Sequence, residues 1–206
     1  MSGKITVGAV TPSANIDYTV NFSAVESRLI SSVNKTKFDT MCEEGCPNYR
    51  KKWTCPPYSP TFNEYSANLK YTNIAFLTVS LNQFDYIKND YLKIKAANSI
   101  IKSKADKIIR KLSCDYGKYV SSGSCRLCKP CKCKLGEACR FPDKMAYSFE
   151  ALGVDVNALI KDYFKSELLW YKKGYLPEYT SVVCGILSDV IIPFKSFHEF
   201  YLENST

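Results

Sequence analysis

Eight of the ten cysteines fall in two short segments, Cys42 to Cys55 and Cys125 to Cys139, and this grouping constrains the chain more than any stretch of hydrophobic pattern. The start, Met1-Ser-Gly-Lys-Ile-Thr-Val-Gly, lacks the basic region, apolar run and small-residue cleavage site of a secretory signal. No stretch is long and apolar enough to span a bilayer. The expected setting is cytoplasmic, where reducing conditions keep thiols free. Cysteines in such number then point to metal binding or redox chemistry instead of a disulfide framework.

The second segment reads Cys125-Arg-Leu-Cys128-Lys-Pro-Cys131-Lys-Cys133, followed by Cys139-Arg-Phe-Pro142. Three cysteines separated by two residues each, with a fourth further on and a nearby proline, resemble a bacterial ferredoxin run. Such a loop delivers sulfurs to separate irons of one cubane, whereas structural zinc draws four sulfurs to one atom, usually as two pairs from separated knuckles. The first segment, Cys42-Glu-Glu-Gly-Cys46-Pro-Asn-Tyr-Arg-Lys-Lys-Trp53-Thr-Cys55-Pro-Pro, offers three more thiols in a proline-rich loop. Spacing leaves open which thiols share a cluster. Cys139 could complete a set with Cys42, Cys46 and Cys55, or stay with its own segment. For Cys114 and Cys184 the expectation is a small buried hydrophobe; Cys133 stands as a further ligand candidate.

The formal charge of +8 would ordinarily indicate nucleic acid or an acidic membrane surface. Thiolate ligation makes a metal site anionic, however, and Arg50, Lys51, Lys52, Arg126, Lys129, Lys132, Lys134 and Arg140 crowd the cysteines. Compensation of anionic centres therefore competes with nucleic acid as the cause of the basicity, and nucleic acid and membrane are not the expected partners.

With 206 residues and 46% hydrophobic content the chain suits one domain, 1–206, with 1–40 as an N-terminal extension and 41–190 as the core. Strands are expected at Ile5–Val10, Tyr18–Phe22, Ile74–Leu81, Lys118–Ser121 and Ser181–Leu187, and short helices at Val25–Val33 and Phe62–Leu69. Ile94, Ala97, Ile101, Ala105, Ile108 and Leu112 recur at helical spacing, with lysines on the opposite, solvated face. Val154–Leu169 reads as another helix, and the prolines of the first cysteine segment exclude regular helix there. Together these predict an α/β domain, a central sheet flanked by helices, with two cysteine-rich metal-binding loops at one end.

The paired motifs, Trp53-Thr-Cys55-Pro-Pro and later Ser-Gly-Ser-Cys125-Arg-Leu-Cys128, Cys139-Arg-Phe-Pro, Ser148-Phe-Glu150 and Gly153-Val-Asp-Val156, resemble the domain-of-unknown-function 2284 family over about residues 40–190. That family is described as predicted metal-binding proteins, largely of anaerobic bacteria and archaea. The resemblance implies a cysteine-bound metal centre at Cys42, Cys46, Cys55, Cys125, Cys128, Cys131 and Cys139. The chain departs from the pattern at Pro47, at Arg50, where a glycine commonly follows the tyrosine, and at Tyr147.

The expected function is that of an iron-sulfur protein with one or two four-iron four-sulfur clusters, transferring electrons to a redox partner protein. Seven thiols leave one iron of two cubanes without a cysteine, so the alternative is an enzyme binding a small-molecule substrate at that iron, for dehydration, sulfur removal or sulfur transfer. A zinc-stabilised binding module is the third reading. No catalytic residue is assigned. Trp53 could shield a cluster; Arg140 and Glu150 are expected in structural ion pairs, and His198, the single histidine, in packing.

Overall fold

Strict alternation decides the first two strands. In the computed structural model, which describes residues 2–205, β1 (Ser2–Val10) buries Ile5, Val7 and Ala9 and exposes Lys4, Thr6 and Gly8. β2 (Asn15–Glu26) buries Ile16, Tyr18, Val20 and Phe22 in the same rhythm, because successive side chains point to opposite faces. β3 (Tyr71–Ser80) is buried from Thr72 to Leu77, the pattern of a central strand covered on both sides. With β4 (Gly117–Val120) and β5 (Tyr179–Ser188), these form one five-stranded sheet in the order β1-β2-β3-β5-β4. Every neighbouring pair is antiparallel; Val20 faces Leu77, and Ala75 faces Cys184.

Two cores follow from the two faces of this sheet. Ala75 and Leu77 point toward α3 (Asp90–Tyr116) and α5 (Phe194–Glu203), packing with Ala97, Ile101, Ala105, Ile108, Phe197 and Tyr201. Ile74 and Phe76 point the other way, toward α2 (Phe62–Ser66), α4 (Val156–Phe164) and the turn before α4, meeting Phe62, Phe149, Leu152, Leu159 and Ile160. Each fully buried Ile, Leu or Phe contributes about 1.5–3 kcal/mol, so both faces are energetically committed. The domain is thus mixed α/β with an antiparallel sheet, and residues 2–26 supply two of its strands.

Several expected boundaries move. The helix expected over Val25–Val33 is instead the end of β2 followed by a single 3-10 turn, Ser27–Leu29. Tertiary pairing overrides helix propensity there: Ser27 N donates to Lys70 O at 2.8 Å, and its hydroxyl meets Thr72 Oγ1 at 3.0 Å. α4 stops at Phe164 rather than Leu169, because Lys165 turns left-handed at φ 52°. Regular helix is not excluded from the whole first cysteine segment, since α1 (Lys35–Gly45) carries Cys42 in its last turn. Proline acts only where it stands: Cys46, preceding Pro47, is extended at φ −87°, ψ 122° and ends the helix. α5 was not expected at all.

α1 is seated on the turn before α4. Asn34 N donates to Gly153 O at 2.7 Å, Asp155 N donates to Ser32 O at 2.8 Å, and Val33 bridges Val154. Gly153 has φ +87°, and a Cβ there would stand 2.7 Å from Lys35 Cα and 2.9 Å from Lys35 N. Both the left-handed backbone and the close approach require glycine. Gly153→Ala is expected to cost about 1–3 kcal/mol, read as a lowered urea midpoint at unchanged slope; a midpoint within error of the parent would contradict this seat.

Candidate metal centre

Cys42 and Cys46 are four residues apart at the C-terminal end of α1, where Cys46 N donates to Cys42 O at 3.0 Å. That spacing puts both thiols on one helix face. Beyond Pro47 the chain winds back through short turns, Tyr49 N to Cys46 O, Lys51 N to Asn48 O and Cys55 N to Lys52 O. Arg50 N closes the winding by donating to Pro56 O at 3.0 Å. The result brings Cys55, buried, back toward Cys42 and Cys46, whose thiols both bear on it.

The second segment is an excursion from the sheet edge, pinched at its base. Ser121 N donates to Tyr147 O at 2.8 Å, Ser121 bridges Ser148, and Ser121 Oγ donates to Gly123 O at 2.7 Å. Between these ends the backbone is irregular except for two 3-10 turns, Lys132–Leu135 and Pro142–Lys144. Cys125, Cys128, Cys131 and Cys139 together line one narrow cavity, whose other walls are Trp53, Thr54, Leu127, Phe141 and Met145. Cys139 therefore groups with its own segment, and Cys42, Cys46 and Cys55 form a separate set of three. Among the described residues no three His, Cys, Asp or Glu side chains converge closely enough to hold a single metal ion.

Residues 50–54 are locked onto this excursion. Lys52 Nζ donates to Cys125 O at 2.7 Å, and Cys125 N donates to Thr54 Oγ1 at 3.2 Å. Trp53 Nε1 donates to Glu137 O at 3.0 Å, and Cys133 Sγ approaches Arg50 O at 3.7 Å. Two segments far apart in sequence thus make one body.

The thiols differ in electrostatics. Burial pushes Cys55 up to about 12, with Cys46 and Cys42 adding to the shift and Lys52 and Thr54 opposing it. Cys42 is raised by burial, then by Cys46, Asp39 and Glu150. Burial also acts to raise Cys131, but hydrogen bonds from the backbone N–H of Cys133 and Trp53, the Cys128 thiol, and the Lys52 charge outweigh it and set Cys131 below its ordinary value. Lys52 bears on both thiol sets.

Comparison with family models brings the decisive match: the model described as "Predicted metal-binding protein (DUF2284)" covers residues 29–186. The chain belongs to this family. A comparison with curated proteins finds no match, and a comparison with solved structures finds none either. In this DUF2284 protein, all seven family-pattern cysteines belong to the two sets just described. Arg50 has φ +55°, which gives the physical reason why glycine suits the position after the tyrosine: left-handed backbone costs an L-residue roughly 1–2 kcal/mol.

The remaining candidates sort by surroundings. Cys133 is buried but does not line the cavity. Cys184 is fully buried in β5, and burial raises its thiol, as expected of a small hydrophobe. Cys114 is exposed on α3, contrary to expectation, with its thiol toward Arg110 O at 3.6 Å. Arg140 and Glu150 were expected in ion pairs, yet neither belongs to one among the described residues. His198 stacks on Phe194, centroids 6.0 Å apart. Sequence reasoning missed Thr54 and the shared role of Lys52; their only signal was adjacency to Cys55.

Among the described residues no helix is long and apolar enough to cross a membrane. In metal-free, reduced protein at pH 8, Cys131 should alkylate with iodoacetamide well before Cys55, which holds only about one thiolate in ten thousand there; peptide mass spectrometry reads the order, and equal rates would refute the donor arrangement around Cys131. Arg50→Gly should raise stability by about 1 kcal/mol, measured by urea unfolding of the same metal-free protein.

Proposed function

We propose that this chain is a cytoplasmic iron-sulfur protein that carries two four-iron four-sulfur clusters, one at Cys125, Cys128, Cys131 and Cys139 and one at Cys42, Cys46 and Cys55, and passes single electrons to a redox partner. The observation that carries the proposal is the cavity lined by four thiols from one loop with apolar walls of Leu127, Phe141 and Met145. The donor set fits the group: soft thiolates are the ligands that iron-sulfur clusters take, and apolar walls limit the access of water, which would raise the potential of the couple by solvating its more negative reduced state. A cluster held there supplies a one-electron couple. The protein's own contribution is the N–H groups of Cys133 and Trp53 directed at the Cys131 sulfur and the Lys52 ammonium between the sets, both of which favour the more reduced, more negative state.

A partner surface of acidic character follows from charge. Arg50, Lys51, Arg126, Lys129, Lys134 and Arg140 are exposed and outside every ion pair among the described residues. Cations whose heads sit in water are well screened from a buried centre and are placed to steer an acidic protein.

A second reading, a cluster-dependent enzyme, draws on the three-thiol set. Only Cys42, Cys46 and Cys55 serve it, and the Glu150 carboxylate, free of ion pairs among the described residues, bears on Cys42. An iron without a protein thiolate is a Lewis acid for a hydroxyl, carboxylate or sulfide.

Anaerobic purification with iron, zinc and acid-labile sulfide counts, followed by electron paramagnetic resonance of the reduced protein, separates these. The expected result is about eight iron and eight sulfide per chain for two cubanes, with Cys125→Ser losing half and Cys184→Ala losing none. Zinc without sulfide would replace both iron-sulfur readings with a zinc-stabilised module. Retention of both clusters in Cys125→Ser would break the ligand grouping.

A further inference from the structure

A cleft of about 300 Å3 opens beside α3 and β5, apart from both thiol sets except at one residue, Glu150. Its apolar wall includes Leu168, Trp170 and Tyr171, and its polar residues are Asn98, Glu150, Thr180 and Ser181. Trp170 is 67% exposed, so a large aromatic surface that burial would ordinarily claim faces the cleft and solvent.

Two of the polar residues, Asn98 and Glu150, offer acceptors alone, while Thr180 and Ser181 carry hydroxyls that can also donate. Asn98 spends both amide hydrogens inside the protein, donating to Thr180 Oγ1 at 3.2 Å and Ser181 O at 3.1 Å, which leaves its Oδ1 as an acceptor. Glu150 has neither an ion pair nor a side-chain hydrogen bond among the described residues. Lys102, on the same face of α3 one turn beyond Asn98, feels the Glu150 charge but lies beyond ion-pair distance. A carboxylate, a free amide oxygen and two aromatic rings are the elements that together recognise an organic cation, since ring faces attract a positive charge and the carboxylate supplies a charge-assisted bond.

We propose that this cleft binds a small organic ammonium ion, its head held by Glu150 and Asn98 beside the Trp170 ring and its apolar body lying on Leu168 and Tyr171. The assignment goes beyond the cluster reading and stands without it, although an anionic centre beside Cys42 would strengthen the same preference. A molecule of this class fits the space: clefts of roughly this size hold ligands of small-molecule dimensions.

The test is calorimetric titration of the anaerobically purified protein at pH 7 with phenethylamine, 2-phenylethanol and 3-phenylpropionate, which share a body and differ in head charge. Phenethylamine should bind about tenfold tighter than the alcohol, the sum expected of one cation–π contact and one partly exposed charge pair, and the carboxylate should bind weakest. Glu150→Gln should remove the preference for the amine, and Trp170→Ala should weaken amine and alcohol alike. Trp170 is exposed, so that variant keeps the parent melting temperature and the loss reads as binding. Equal affinity for amine and alcohol, tighter binding of the carboxylate, no binding of any of the three, or an amine preference that survives Glu150→Gln would each overturn the assignment. Iron and sulfide counts on the same samples keep the two proposals apart: loss of amine binding with clusters intact sinks this one alone, and amine binding by cluster-free protein leaves it standing.

Discussion

An irregular loop holds a thiol in place only when its own backbone donors and acceptors are paired, and the join between residues 50–54 and 125–137 meets that requirement. Lys52, Trp53 and Thr54 each spend a side-chain polar group on the backbone of the second segment. The Lys52 bond is charge-assisted and the Thr54 bond part-buried, while the Trp53 bond is exposed; a typical bond of this kind contributes roughly 1 kcal/mol net. More consequential is what they replace, since an unpaired amide beside a buried sulfur would cost more than the bond returns. Remove the join and the cavity loses two of its walls, Trp53 and Thr54.

The sheet serves this join from a distance. β4 is the short edge strand from which the second excursion departs, and the Ser121–Ser148 bridge closes its neck where the chain enters the second core through Tyr147 and Phe149. The first excursion is held differently, by α1 resting on Gly153 and by the capping box of Thr61 and Glu64 at the start of α2. Both cysteine segments are therefore anchored at the same turn region, 147–155, one through Ser121 and the other through Asn34. That turn carries little chemistry of its own apart from Glu150.

The fold was legible wherever one face of an element is buried. Alternation in β1 and β2, the apolar run of β3 and the three-four spacing of α3 all reported true burial. The start of α1 and the existence of α5 were hidden because their patterns are short and mixed: α1 buries no residue fully, and α5 buries only Phe197 and Tyr201. For the site, the grouping of cysteines was legible from spacing, but the partition into four and three was not. It depends on which way the Cys131–Cys139 spacer folds, and a 3-10 turn ending in left-handed Gly136 returns Cys139 to its own segment. Lys52 and Thr54 were invisible as links because their partners lie 71 to 73 residues away.

The separation of the seven thiols into local sets also bears on how the chain assembles. Cys42 to Cys55 and Cys125 to Cys139 each close only a short loop, whereas the sheet must bring Tyr71 opposite Ser188. Loop-closure entropy rises with the length closed, so gathering either set of sulfurs restricts the chain less than completing the central strand pair. Each donor set is therefore a local event in a fold whose scaffold is a distant one.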